Sequence, residues 1–93
     1  MGRYPRPKQK YLGKKLLQVR KALGLSQNEM LRRLAVEKEL TRTNISNYEI
    51  GHREPPLYLL LRYAELAGVC TDLLIDDRQN LPPKLPSKPK HKT

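Results

Sequence analysis

The run TRTNISNYE (residues 41–49) is mostly polar and contains only two large apolar residues, Ile45 and Tyr48. These two residues are three positions apart (i and i+3), so they share one narrow face if the run is helical. The opposite face then presents side chains that donate and accept hydrogen bonds. Such a face suits contact with the polar edges of another molecule. The side chains concerned are those of Arg42, Thr43, Ser46 and Asn47.

Residues with the chemistry for catalysis or metal binding are few and scattered. His52 and His91 are distant in sequence, and Cys70 is the only cysteine. A metal site needs clustered ligands, and the three aspartates between residues 72 and 77 are too few to make one. The sequence therefore predicts no enzyme, no bound metal and no cofactor.

The positive charge of the chain lies mostly at its two ends. The 93 residues carry a net charge of +10, yet residues 11–77 hold ten basic and nine acidic groups. Net positive charge favours an anionic partner. We predict a basic, proline-containing N-terminal tail (1–10), one domain (11–77) and a basic, proline-rich C-terminal tail (78–93). Both tails are expected to be extended and mostly disordered, acting either as solubilising segments or as clamps on a polyanion.

The predicted compartment is the cytoplasm. A single cysteine excludes an intramolecular disulfide and fits a reducing environment. The sequence has no apolar run of membrane-spanning length, and its start lacks the apolar core of a signal peptide. We therefore expect no membrane partner.

Apolar periodicity predicts the first two helices. The first covers residues 11–23 and ends at Gly24. Ser26, with Glu29 three residues later, forms a capping box that starts the second. The segment AVEKEL (residues 35–40) contains no glycine or proline, so we expect the second helix to continue to residue 38 or 39. The alternative is that AVEKEL forms a loop.

Three further helices follow, and no segment alternates with the period of a strand. Thr41 is expected to cap a third helix that ends near residue 50, before Gly51. Pro56 suits the first turn of a fourth helix, and Thr71 is expected to cap a short fifth one. The sequence thus predicts an all-α fold. The expected inner face of the fourth helix consists of Leu57, Leu60, Leu61, Ala64 and Ala67.

The order and spacing of these segments resemble the phage-repressor-like (Cro/XRE-type) helix-turn-helix family. The resemblance covers residues 11–77 and rests on GLSQNEMLRRL, TNISNYEIGHREP and LYLLLRYAELAGVCTDLLI. It implies a compact five-helix, lambda-repressor-like domain whose third helix enters the major groove of double-stranded DNA. The chain departs from the family between Leu34 and Ile45, where the connection is longer by about one helical turn and lacks a glycine.

The resemblance also implies which residues contact DNA bases. By position, Arg42, Thr43, Ser46 and Asn47 would read base edges in the groove. Arg42 would pair with a guanine and Asn47 with an adenine, each through two hydrogen bonds.

Other residues are implied to contact phosphates or to hold the third helix. Gln27 would lie on a phosphate at the start of the second helix, where free N–H groups collect. The further phosphate contacts would be Thr41, His52 and Arg53. A partly buried ion pair between Arg20 and Glu49 would fix the tilt of the reading helix.

The implied function is that of a small transcriptional repressor, associated with the bacterial nucleoid when bound to DNA. A homodimer is expected, with residues 73–75 (Leu73, Leu74, Ile75) either forming the dimer surface or closing the core. We expect no small-molecule effector domain in a chain of this length. The alternatives are an antitoxin with a toxin as protein partner, or a protein-interaction module that keeps the fold without reading DNA.

Overall fold

The computed structural model describes residues 9–86, which contain five α-helices and no β-strand. The prediction of an all-α fold is therefore confirmed. No helix within these residues combines the length and apolar character needed to cross a bilayer. The expected tail residues 1–8 and 87–93 lie outside the described part. The helices are α1 (Leu12–Ala22), α2 (Gln27–Arg33), α3 (Arg42–Glu49), α4 (Leu57–Ala67) and α5 (Thr71–Ile75).

Local hydrogen bonds define the ends of the first three helices. The Ser26–Glu29 capping box starts α2 as predicted, and a second box between Thr41 and Asn44 starts α3. α1 and α3 are each followed by a glycine with positive φ (71° and 85°), which only glycine adopts without strain. The caps at the starts of α4 and α5 fall on Pro56 and Cys70. α4 therefore begins one residue later than expected, and α5 begins one residue earlier, with Thr71 inside the helix.

The second helix ends earlier than expected. Ala35 follows it in the left-handed conformation, with φ 59°. The Ala35 N–H donates to the Arg32 carbonyl and the Val36 N–H donates to the Leu31 carbonyl, both at 3.0 Å. This is the Schellman termination, in which a glycine usually occupies the position of Ala35. Continuation of α2 to residue 38 or 39 is therefore wrong, and AVEKEL is a loop. The physical reason is burial, because the turn places Val36 in the core with no exposed surface.

An arginine of α4 stabilises the same turn. The Arg62 Nη1 donates to the carbonyl oxygens of Leu34 and Ala35 at 2.9 and 3.1 Å. The Leu34 carbonyl belongs to the set that a helix leaves unpaired at its C-terminal end, and the Ala35 carbonyl belongs to the turn that follows. The Arg62 guanidinium also lies 5.6 Å from the centre of the Tyr58 ring. A single basic residue inside the apolar run of α4 is the sequence signal for this role.

We expect Ala35→Gly to stabilise the domain. An alanine in the left-handed conformation costs roughly 1–2 kcal/mol, and glycine avoids this cost. The greater conformational freedom of glycine in the unfolded chain offsets about 0.4–1 kcal/mol of the gain. The net increase in unfolding free energy, measured by urea denaturation, should be up to about 1 kcal/mol. The matched control is Ala22→Gly in α1, which should lose about 0.5–1 kcal/mol. Similar losses in both variants would contradict strain at residue 35.

The inward face of α4 is not the one that periodicity alone selected. Leu57 and Leu61 are 80% and 51% exposed, so their assignment to the core is wrong. The run LYLLL is apolar on more than one face, and packing against α1 and α5 decides which face is buried. The buried residues of α4 are Leu59, Leu60, Tyr63, Ala64 and Ala67.

The start of α1 is joined to the end of α5 by two charged residues. The Lys15 side chain is buried, and its Nζ donates to the Leu73 and Asp76 carbonyls at 2.7 and 2.8 Å. The Asp77 carboxylate accepts the backbone N–H groups of residues 10 and 11 at 2.7 and 3.1 Å. The hydrogen bond from residue 10 lowers the pKa of Asp77. These contacts tie together the two ends of the helical region.

The core extends past the predicted boundary at residue 77. Leu81 and Leu85 are 6% and 8% exposed and belong to the hydrophobic cluster. A disordered tail beginning at residue 78 is therefore wrong for residues 78–86. The two leucines add apolar surface to the core. The composition of this segment did not predict their burial, because prolines and lysines surround them.

Candidate nucleic-acid interface

α3 buries one face and exposes the other. Ile45, Tyr48 and Glu49 are 0%, 6% and 8% exposed, and their spacing places them on one side of the helix. This side packs against α1 and α2. The opposite side is open to solvent: Arg42 and Thr43 are exposed, and Ser46 and Asn47 are partly exposed. The four side chains expected to contact bases therefore lie on the part of α3 that another molecule can reach.

Gly13 lets the end of α3 lie directly against α1. A Cβ atom at residue 13 would lie 2.7 Å from the carbonyl oxygens of Tyr48 and Glu49. Backbone atoms cannot move away as a flexible side chain would, so this position requires glycine. The sequence signal for this role is a glycine in the first turn of a segment that otherwise consists of residues favourable to a helix. The role itself depends on how α1 and α3 pack.

Arg20 and Glu49 form a bidentate ion pair between α1 and α3. The Arg20 Nε donates to Glu49 Oε2 at 2.7 Å, and Nη2 donates to Oε1 at 3.0 Å. The third nitrogen, Nη1, donates to the Leu25 carbonyl at 3.0 Å. The side chains of Arg20 and Glu49 are 15% and 4% exposed. The hydrogen bond to Glu49 raises the pKa of Arg20, against the opposing effect of burial.

Gln27 completes this cluster from the start of α2. Its Nε2 donates to Glu49 Oε1 at 3.1 Å, so one carboxylate holds side chains from α1 and α2. Sequence reasoning assigned Gln27 to a phosphate and missed this contact, which only the folded arrangement reveals. With its amide donor directed at Glu49, Gln27 links the two helices of the helix-turn-helix. Its contact with phosphate stays a prediction.

A buried tyrosine, Tyr63, interacts electrostatically with Glu49 and Arg20 of this cluster. Tyr63 has no exposed surface, and its hydroxyl has no hydrogen-bond partner among the described residues. Burial raises the pKa of Tyr63, and the negative charge of Glu49 adds to this effect. The Tyr63 hydroxyl therefore stays neutral, and Arg20 is the cation that compensates Glu49.

The remaining phosphate candidates flank α3. The Thr41 hydroxyl donates to Asn44 Oδ1 at 3.1 Å and accepts the Asn44 N–H at 3.4 Å. Thr41 and Asn44 thus cap the helix. The Asn44 side chain is engaged in this capping box and is not part of the exposed polar face of α3. His52 and Arg53 are exposed immediately beyond the other end of α3. Their contacts with phosphates stay predictions.

Comparison with known families and proteins agrees with this geometry. The Helix-turn-helix family matches residues 16–74, a span that runs from α1 into α5. The chain belongs to the Cro/XRE-type helix-turn-helix family. This confirms the family resemblance, and the helix-turn-helix domain is of the class found in DNA-binding transcription regulators.

A curated relative of the helix-turn-helix domain is the HTH-type transcriptional regulator ImmR of Bacillus subtilis (strain 168). It is 36% identical over 64 residues, which cover 69% of this chain and 47% of the relative. The chain thus spans less than half of the relative's length. No solved structure matches the chain.

Proposed function

We propose that this chain binds double-stranded DNA sequence-specifically and acts in the cytoplasm as a small transcriptional repressor. The observation that carries the proposal is the exposed polar face of α3, which is held in place by its buried Ile45, Tyr48 and Glu49. The major groove of B-DNA is about 12 Å wide and accepts one helix of this kind. Repression then follows from occupying DNA that the transcription machinery needs.

The residues divide into readers and positioners. Arg42 and Asn47 have the side chains that pair with guanine and adenine through two hydrogen bonds. Thr43 and Ser46 supply single hydrogen bonds on the same face. Arg53, with His52, Thr41 and Gln27, would contact phosphates and fix the position of the domain without reading sequence.

Selection of bound duplexes from a random pool tests the proposal directly. We expect one motif to be enriched, and its affinity to fall steeply as salt rises, because phosphate contacts release counterions. Affinity for the motif should exceed affinity for random duplex by at least about 10³-fold. A protein that binds no duplex, or binds all duplexes alike, would favour the alternative of a protein-interaction module.

We expect Arg42→Ala and Asn47→Ala to relax the sequence preference. Each variant loses a paired contact worth about 1–3 kcal/mol, which corresponds to roughly 5- to 150-fold in discrimination at one base position. The matched control is Arg53→Ala, which should weaken binding to all duplexes and reduce the salt slope by about 1. Competition assays against single-base variants of the selected motif measure both effects. A uniform loss in Arg42→Ala would assign that arginine to a phosphate instead.

A homodimer is part of the proposal, because such domains usually bind two-fold symmetric sites. Of the two interpretations of residues 73–75, the structure favours closure of the core. Leu74 has no exposed surface, and Leu73 and Ile75 are packed against the core cluster. A dimer contact would then use other residues, and Leu57 and Leu61 are the exposed leucines of α4. Sedimentation with and without the selected duplex tests this part of the proposal.

A further inference from the structure

Ile50 is an apolar side chain on the face of α3 that otherwise carries polar groups. It is 61% exposed and occupies the C-cap of α3, where its φ and ψ of −90° and −1° remain helical. The helical geometry therefore extends from Arg42 through this residue. Sequence reasoning treated Ile50 only as the position near which the helix ends.

The helical rotation places Ile50 in the centre of the reading face. At about 100° per residue, Ile50 lies within about 20° of Thr43 when viewed along the axis. It falls between the directions of Ser46 and Asn47. The buried residues of α3 point to the opposite side. Along the axis, Ile50 is one turn beyond Ser46 and Asn47, so a surface that contacts these two residues also approaches Ile50.

Neither the core nor the helix end requires an isoleucine here. α3 is terminated by backbone hydrogen bonds, since the N–H groups of Gly51 and His52 donate to carbonyls of Tyr48 and Asn47. The turn itself depends on Gly51, whose φ is 85°. The Ile50 side chain contributes little to folding and stays available for another contact.

We propose that Ile50 contacts the 5-methyl group of a thymine and thereby contributes to sequence preference. This inference rests on the proposed function, because it requires α3 to lie in the major groove. Thymine is the base that presents a methyl group there, and apolar side chains discriminate it by contact with that group. Arg42 and Asn47 supply no such contact through their hydrogen bonds, so Ile50 extends the set of bases that the helix distinguishes.

The test uses the full chain and the duplex selected by it from a random pool. Each thymine of the motif is replaced in turn by deoxyuridine, which keeps all hydrogen bonds and removes only the methyl group. The wild-type protein should bind about fourfold more weakly to the duplex in which deoxyuridine replaces one particular thymine in each half of the two-fold symmetric site. A fourfold loss is the effect of about one buried methyl group. Ile50→Ala should bind the thymine and deoxyuridine duplexes equally at that position. Ile50→Leu should retain part of the preference.

Gln18→Ala is the control, because Gln18 is an exposed, uncharged residue of α1 that has no part in the proposed DNA contacts. It should show the wild-type pattern of deoxyuridine effects. The inference is overturned if no thymine has a methyl effect that depends on residue 50, or if Ile50→Ala changes only self-association. Those results leave sequence-specific binding by the wild type intact. A wild type without any preference among duplexes overturns both the inference and the proposed function.

Discussion

Replacing Arg20 by methionine should lower the free energy of unfolding by about 3–5 kcal/mol, which is the typical cost of stranding one charge of a buried pair. Glu49 is the charge that remains, with a side chain only 4% exposed. Gln27 would still donate one hydrogen bond to it, but an uncharged amide cannot replace the guanidinium. Denaturant titration, with the midpoint and slope fitted separately, measures the change.

The neighbouring Lys21→Met serves as the matched control for Arg20→Met. Lys21 is exposed in the same helix, and its replacement should change stability by less than about 0.5 kcal/mol. The double variant Arg20→Met with Glu49→Gln should recover part of the loss, since the stranded charge is removed. If Arg20→Met were as stable as the wild type, the ion pair would not hold α3 in place.

The second large effect is expected at Gly13. Helix propensity alone predicts that Gly13→Ala stabilises α1 by about 1 kcal/mol. The structure predicts the opposite sign, because the added Cβ would lie 2.7 Å from two carbonyl oxygens of α3. Overpacking of this kind costs about 1–3 kcal/mol. We therefore expect a net loss of stability and, because α3 must shift, weaker binding to the selected duplex.

Lys14→Ala separates this effect from a general response of α1 to alanine. Lys14 is the next residue and is exposed, so its replacement should leave stability within about 0.5 kcal/mol of the wild type. Thermal unfolding monitored by circular dichroism compares the two variants. An increase in stability for Gly13→Ala would show that the ends of α1 and α3 are not in close contact.

The sequence by itself determined the fold class, the family and most helix ends. Helix caps are local, so Ser26 with Glu29 and Thr41 at the start of α3 could be recognised from spacing alone. The inward pair of α3, Ile45 and Tyr48, was also predictable, because a nearly polar helix leaves few apolar residues to choose from.

Only the tertiary structure decided the features that depend on distant residues. Ala35 ends α2 because the turn buries Val36 and is stabilised by Arg62, and no local signal marks it. The burial of Lys15 depends on the carbonyls of Leu73 and Asp76, which accept hydrogen bonds from its Nζ and lie more than fifty residues away in the sequence. Likewise, Leu57 is exposed because an apolar run offers several faces and its neighbours select one. Local sequence fixes hydrogen bonds within a few residues, whereas burial depends on which helices meet.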